Sequence, residues 1–132
     1  MFFPDRKTVE RVRGEYPKGT RVILEKMDDP QAPPMGTLGT VIVVDDAASL
    51  IVRWDNGSGL NVVYGEDIVT KMLMTDKVFH QLMEIRNEGK TNMLDIPMVQ
   101  RLAYEKGFYE LVMYTEEHRQ EYAHFIMTGR EK

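Results

Sequence analysis

The sequence predicts an α+β chain, a small SH3-like β-barrel followed by a compact helical domain of three to four helices. Three observations predict it. Between residues 18 and 73, apolar and β-branched residues fall in five short runs parted by turn residues. After Met74 the apolar residues recur at a helical period to the end of the chain. At 132 residues with 42% apolar side chains, a folded chain buries about two thirds of its unfolded surface, enough for one good core or two small ones. The expected organisation is an N-terminal helix or arm at 1–17, a barrel at 18–73 and a helical domain at 74–132.

Asp5 to Glu15 holds helix formers with few apolar residues, which predicts a short helix docked through Val9 and Val12 and ended by Gly14 and Pro17. From Thr20 the period becomes two. Arg21 to Met27 sets Val22, Leu24 and Lys26 on one side, as a strand does. Asp28 to Gly36 has three prolines and a glycine in nine residues and reads as a stiff loop. Thr37 to Val44 reads as a buried strand, with Gly39 marking a bulge or sharp bend. Asp45 to Ala48 turns the chain and Leu50 to Trp54 forms the next strand. Asn56-Gly57 supplies the positive φ of a hairpin turn. Leu60 to Tyr64 returns, Gly65 to Asp67 turns, and Ile68 to Met72 closes the barrel, because closure hides strand edges.

Thr75 is placed to cap the next segment, with Asp76 in its first turn, and Val78, Phe79, Leu82, Met83 and Ile85 line one face up to Gly89. Asp95 caps a second helix whose first turn contains Pro97 and whose inward face is Val99, Leu102 and Ala103, ending at Gly107. Beyond Phe108, residues Leu111, Val112, Tyr122, Phe125 and Ile126 keep one helical period. One long helix and two helices broken near Thr115 both fit that spacing, and Gly129 is the stop.

Composition excludes several function classes. The absence of cysteine removes disulfide staples, thiolate catalysis, iron–sulfur clusters and cysteine-based zinc sites. The net charge is −4. Residues 1–73 carry 9 basic and 11 acidic side chains and residues 74–132 carry 8 and 10, so neither half is a hidden basic arm for a phosphate backbone. No window approaches 18 uninterrupted apolar residues, and Met1-Phe2-Phe3-Pro4 lacks the order of a secretory signal. A cytoplasmic protein with no membrane contact is the expectation.

Several motifs carry a resemblance. Tyr16-Pro17-x-Gly19-Thr20-Arg21-Val22, Met27-Asp28-Asp29-Pro30-Gln31-Ala32-Pro33-Pro34, Gly36-Thr37-x-Gly39-Thr40-Val41, Trp54-Asp55-Asn56-Gly57-Ser58 and Gly65-Glu66-Asp67 together resemble a small family of unknown function. That family occurs in Gram-positive gut bacteria, their prophages and other mobile elements. Thr91-Asn92-Met93-x-Asp95, Gly107-Phe108-Tyr109-Glu110-Leu111-Val112, Glu116-Glu117-His118-Arg119 and Phe125-Ile126-x-Thr128-Gly129 resemble a second uncharacterised family from the same setting. The resemblances imply a genomic context and no activity. Gly19 to Val41 is also similar to barrels of the ribosome-associated KOW type. Asp28, Asp29, Asp45 and Asp46 stand on loops where an RNA-binding barrel carries Lys or Arg.

The candidate sites follow from these elements. Asp28-Asp29 and Asp45-Asp46 could meet with Glu66 or Asp67 to hold a hard cation, although aspartate also starts turns and the spacing matches no calcium loop. Glu121-x-x-His124 is half of a di-iron ligand set with no second half. Ser49 and Ser58 lie in turns, and Gly36-x-x-Gly39 lacks the lysine of a phosphate loop. No metal, cofactor or catalytic residue is therefore expected. Aromatic and methionine side chains exceed what small cores need, which favours an interface. The expected partner-binding residues are Asp28, Asp29, Pro30, Trp54 and Tyr64, placed to receive an extended basic or proline-containing peptide, with Tyr109 from the helical domain.

The leading expectation is a non-enzymatic protein-interaction module of phage or mobile-element origin. It would be an accessory or counter-defence factor that binds a host or phage protein and can form a homodimer. The alternative is a nucleic-acid-binding regulator. It would use a basic surface of Arg6, Lys7, Arg11, Arg13, Lys18 and Arg21, or a helix-turn-helix corner at Gly107. A metal-dependent enzyme is the third.

Overall fold

The structure, a computed structural model, describes residues 4–132, so residues 1–3 of the expected N-terminal arm lie outside the described residues. The chain divides between Met72 and Leu73 into two units. Its class is α+β, with element order α1 (Arg6–Glu15), β1 (Thr20–Lys26), β2 (Leu38–Val44), β3 (Leu50–Trp54), β4 (Ile68–Thr75), α2 (Asp76–Glu88), α3 (Ile96–Glu105), α4 (Tyr109–Glu117) and α5 (Arg119–Thr128).

Helix α1 starts where the Asp5 carboxylate accepts the Thr8 N–H at 2.8 Å, and its Val9 and Val12, one turn apart, are buried in the core of the sheet. Strands β1, β2 and β3 form an antiparallel meander, and the sheet order is β3-β2-β1-β4. The first core packs Val22, Leu24, Val41, Val44, Leu50, Val52, Trp54 and Val62 against the two α1 valines.

The barrel is not closed, and the expected fifth strand is absent among the described residues. Of Leu60 to Tyr64, only Val62 pairs, exchanging both backbone hydrogen bonds with Leu50 at 2.9 and 3.0 Å. Its neighbours are otherwise engaged. The Leu60 carbonyl accepts the Trp54 indole N–H at 2.6 Å, and the Val63 N–H is held by the Asp67 carboxylate at 2.8 Å. The indole has taken the Leu60 carbonyl, which a ladder with β3 would use.

Gly39 has a different reason from the bulge expected there. The register irregularity falls between Val41 and Val43. Gly39 instead sits opposite Trp54, where an added Cβ would lie 2.6 Å from Val52 Cγ1 and 2.7 Å from Trp54 Cε3. Glycine lets the indole lie flat across the neighbouring strand. Beside it Arg21 is 1% exposed, and its guanidinium forks onto both Asp55 oxygens at 2.8 and 2.7 Å and onto Thr40 Oγ1 at 3.1 Å.

In the second unit the caps fall where the sequence places them. Thr75 Oγ1 accepts the Val78 N–H, Gly89 turns left-handed at φ 67°, Asp95 accepts from Met98, and Gly129 stops α5 at φ 80°. The chain breaks at His118 rather than at Thr115, giving two helices after Phe108. Thr115 is fully buried inside α4, its hydroxyl bonding back to the Leu111 and Val112 carbonyls and receiving the Gln100 amide. Two polar side chains join elements within this unit. Buried Gln81 of α2 accepts the Leu111 N–H at 3.0 Å and donates to Glu110 at 2.8 Å. Glu131, 7% exposed, accepts the N–H groups of Leu73 and Met74 and the Tyr114 hydroxyl. Burial, followed by that carboxylate, raises the Tyr114 phenol above the ordinary tyrosine range.

Two predictions follow from this packing. Gly39→Ala forces a methyl into Val52 and the Trp54 ring, so the first unit should lose at least about 1–3 kcal/mol. Urea denaturation followed by Trp54 fluorescence should show a lower midpoint, and an unchanged midpoint refutes the packing account. The Gln81 amide, the Glu110 backbone and the Lys77 ammonium lower the Glu110 carboxyl from 4.5 to about 2. A depressed folded pKa stabilises fully above the unfolded value and ceases to do so as pH falls through the folded one. The helical unit should therefore weaken between about pH 5 and pH 2, and Glu110→Gln should flatten that dependence. Far-ultraviolet circular dichroism during urea titration at several pH values measures both.

Candidate functional site

A groove of about 300 Å³ opens on the first unit between α1 and the chain from Val62 to Val69. Its floor is apolar and fully built into the core, from Val12 of α1, Ala48, Leu50 of β3 and Val62. The Leu50–Val62 bridge brings the last two together. Ala48 occupies the left-handed region at φ 60°, a conformation costing a residue with a Cβ about 1–2 kcal/mol. The turn is held there by the Asp45 carboxylate, which accepts the N–H groups of Ala47 and Ser49, both at 2.9 Å. Val63 and Ile68 form exposed apolar walls, and the rings of Tyr16 and Tyr64 stand beside them.

Charge is confined to the rim. Arg11 touches the Tyr64 hydroxyl at 3.4 Å and approaches Glu15 only to 3.8 Å, both long contacts. Asp67 uses one oxygen on the Val63 N–H. Lys71 donates to the Glu15 carbonyl at 2.6 Å, and its ammonium lies 6.0 Å from the centroid of the Tyr16 ring. Burial, with the Glu15 charge second, raises the Tyr16 phenol. The groove therefore combines an apolar floor and two aromatic rings with a rim on which the carboxylates of Glu15 and Asp67 are matched in number by Arg11 and Lys71.

Of the expected partner-binding residues, the groove contains Tyr64, which is 39% exposed. Trp54 is corrected to a core residue at 1% exposure, because its ring covers Gly39 and its N–H is used internally. Asp28, Asp29 and Pro30 are exposed but do not line the groove. They belong to a folded loop in which Asp29 accepts the Gln31 N–H at 2.8 Å and Gly36 donates back to Leu24. Tyr109, 54% exposed, lies in the second unit with its ring edge-on to Tyr104 at 5.6 Å.

The expected basic surface is likewise corrected at Arg21, which is buried on Asp55. Arg6 pairs with Glu10 at 3.1 Å, and Arg13 pairs with Asp46 at 2.8 Å while donating to the Val44 carbonyl. Lys7, Arg11 and Lys18 are exposed. At the Gly107 corner, where φ is 76°, the first turn of α4 carries Glu110, bound to Gln81 and Lys77. Asp29 and Asp45 accept backbone N–H groups in turns, and Asp46 and Asp55 hold ion pairs. Among the described residues no group of three or more His, Asp or Glu is placed to hold a metal ion. His124 Nδ1 lies 2.6 Å from the Arg130 carbonyl, an acceptor that requires the ring nitrogen to donate.

Glu15, Val63 and Ile68 were not singled out by the sequence, and Asp67 was considered only as a ligand of a cation site. The only signal was Val62-Val63-Tyr64 directly before Gly65-Glu66-Asp67, an apolar run that also fits a paired strand.

A family model described as Domain of unknown function (DUF4314) matches residues 5–72, half of the chain. The chain belongs to the DUF4314 family. A second model, Domain of unknown function (DUF5049), matches residues 74–130, so the two follow one another along the chain. Neither a curated protein nor a solved structure matches it. The groove is built wholly from residues of the DUF4314 segment. Among the described residues no helix is long and apolar enough to cross a membrane.

The separation of Tyr64 from Trp54 can be checked. In the DUF4314 segment, Tyr64→Phe removes one long hydrogen bond at the surface and should change stability by less than about 0.5 kcal/mol. Trp54→Ala empties the core and should cost about 3–5 kcal/mol. Thermal unfolding of both variants against the parent measures the contrast, and equal losses would place Tyr64 in the core.

Proposed function

We propose that this chain is a non-enzymatic protein-interaction module of phage or mobile-element origin, working in the cytoplasm, whose first unit receives an extended segment of a partner polypeptide. The groove between α1 and residues 62–69 is the observation that carries the reading. Its floor is fixed by Val12, Leu50 and Val62, which are core residues, so the site is preformed and an entering side chain meets little reorganisation cost. Exposed Val63, Ile68 and Tyr64 supply the apolar and aromatic area on which binding hot spots are built. A few polar groups on the rim can fix the direction of a backbone.

The same reading treats the bent β1-β2-β3 meander with its preceding helix as an SH3-like unit left open where the fifth strand would pair. That likeness is an analogy of form and does not itself imply a ligand. It is nevertheless consistent with a site beside the unclosed segment. The nucleic-acid alternative is less well supported, since Arg21 is buried and Arg6 and Arg13 already hold carboxylates.

Selection of random peptides displayed on phage against the purified full chain tests the proposal. The recovered peptides should lose about tenfold or more in affinity for a Tyr64→Ala, Ile68→Ser double variant, the scale expected when an aromatic anchor is removed. Circular dichroism should show that the variant remains folded. Binding that is indifferent to these substitutions would refute the groove as the interaction site.

A further inference from the structure

We infer that Asn56 is a site of self-modification, at which the chain loses ammonia and takes up water to carry aspartate or isoaspartate in the turn after β3. The step needs no enzyme and does not depend on the groove. The Gly57 backbone nitrogen gives up its proton and attacks Asn56 Cγ, the bond from Cγ to the side-chain nitrogen breaks, and that nitrogen leaves with the proton as ammonia. The cyclic imide so formed is opened by water. Opening at the side-chain carbonyl gives aspartate. Opening at the main-chain carbonyl gives isoaspartate, in which the backbone runs through Cγ and is longer by a methylene.

The geometry of the turn favours that attack. Asn56 and Gly57 are both exposed to the water the reaction consumes. Asn56 Oδ1 accepts the Ser58 N–H at 3.0 Å, which folds the side chain back over the Gly57 peptide and sets a donor on the oxygen where negative charge gathers. Nothing lies within 4 Å of the place a Gly57 Cβ would take, so the nitrogen is unshielded. Against this, the Gly57 N–H donates to the Trp54 carbonyl at 3.0 Å, a turn bond at an exposed position that water can replace. The other asparagines each lack a condition. Asn61 precedes β-branched Val62, whose N–H is held by Leu50 at 3.0 Å, and Asn87 lies within α2. Asn92 makes the same kind of bond, to the Leu94 N–H at 2.9 Å, but the residue after it is Met93, with a long side chain beside the nitrogen. The consequence falls on the first core, because this turn joins Trp54 to the Leu60 carbonyl that holds its indole at 2.6 Å. A backbone lengthened at residue 56 no longer matches that span.

The test ages the full chain for several weeks at neutral pH and physiological temperature, beside the same chain in urea and an Asn56→Gln variant, which would have to close a larger ring. Asn56 is exposed, so the variant should fold. After digestion, mass spectrometry follows the gain that equals the difference between water and ammonia. In the folded chain the peptide holding Asn56 should show it at least about tenfold faster than those holding Asn61, Asn87 and Asn92, the ratio a small difference in barrier produces. That peptide should split into aspartate and isoaspartate forms, and Asn56→Gln should show no gain there. Thermal unfolding followed by Trp54 fluorescence should give a lower midpoint for the aged parent and an unaltered one for aged Asn56→Gln. Conversion in urea but not in the folded chain would mean that the bond from Gly57 to Trp54 prevails and would overturn the inference, as would equal rates at the four asparagines. Full conversion with an unaltered midpoint would overturn the effect on the core and leave the modification site standing.

Discussion

The close approach of the Trp54 indole to the Gly39 backbone is the constraint on which the first unit depends. Because Gly39 has no Cβ, the ring can lie across β2 while its N–H reaches the Leu60 carbonyl at 2.6 Å. That bond fixes where the chain leaves the Asn56-Gly57 turn, and so it sets Val62 opposite Leu50. The steric allowance at Gly39 thus lets Trp54 anchor Leu60, at the start of the segment that leads to residues 62–69, eight to fifteen positions beyond Trp54.

The second unit is ordered by a different means. Its helices are short, nine to thirteen residues, and lengths of this kind are marginal in isolation, so tertiary contacts must supply most of their stability. Apolar packing around Val99, Ala103, Leu111 and Tyr122 supplies area but little direction. Direction comes from side chains that satisfy backbone donors at element ends. Gln81 holds the start of α4, and Glu131 gathers Leu73, Met74 and Tyr114. A buried carboxyl group is tolerable here because three donors surround it.

These causes also explain which features could be read from the residues. Thr75, Gly89, Asp95, Pro97 and Gly129 act on their own neighbours, within three or four positions, so the helix limits were legible. The break at His118 was not, because the decisive fact is that Thr115 stays helical by bonding back to Leu111 and by receiving Gln100. Apolar alternation at Leu60 to Tyr64 truly suggested a strand. The carbonyl at Leu60 that a ladder would use is instead taken by a tryptophan six residues earlier, which does not enter a periodicity argument. Arg21 and Trp54 were misread as surface residues for a related reason. Both types occur at interfaces, and only the register with Thr40, Asp55 and Gly39 shows that their polar atoms are already engaged.

Electrostatics then narrows what the surface can do. Most aspartates suspected of forming a cation site are engaged in local geometry, Asp29 and Asp45 in turns and Asp46 with Arg13. Most arginines suspected of forming a basic face are likewise engaged with carboxylates. Charge used in this way contributes to local order and little to recognition, since each pair presents a weak field beyond its own dimensions at physiological salt. The Arg11–Glu15 pair, at 3.8 Å, is the looser exception, and it sits at the mouth of an apolar-floored groove. In the first unit, preformed apolar area and a loosely held ion pair thus coincide at this groove.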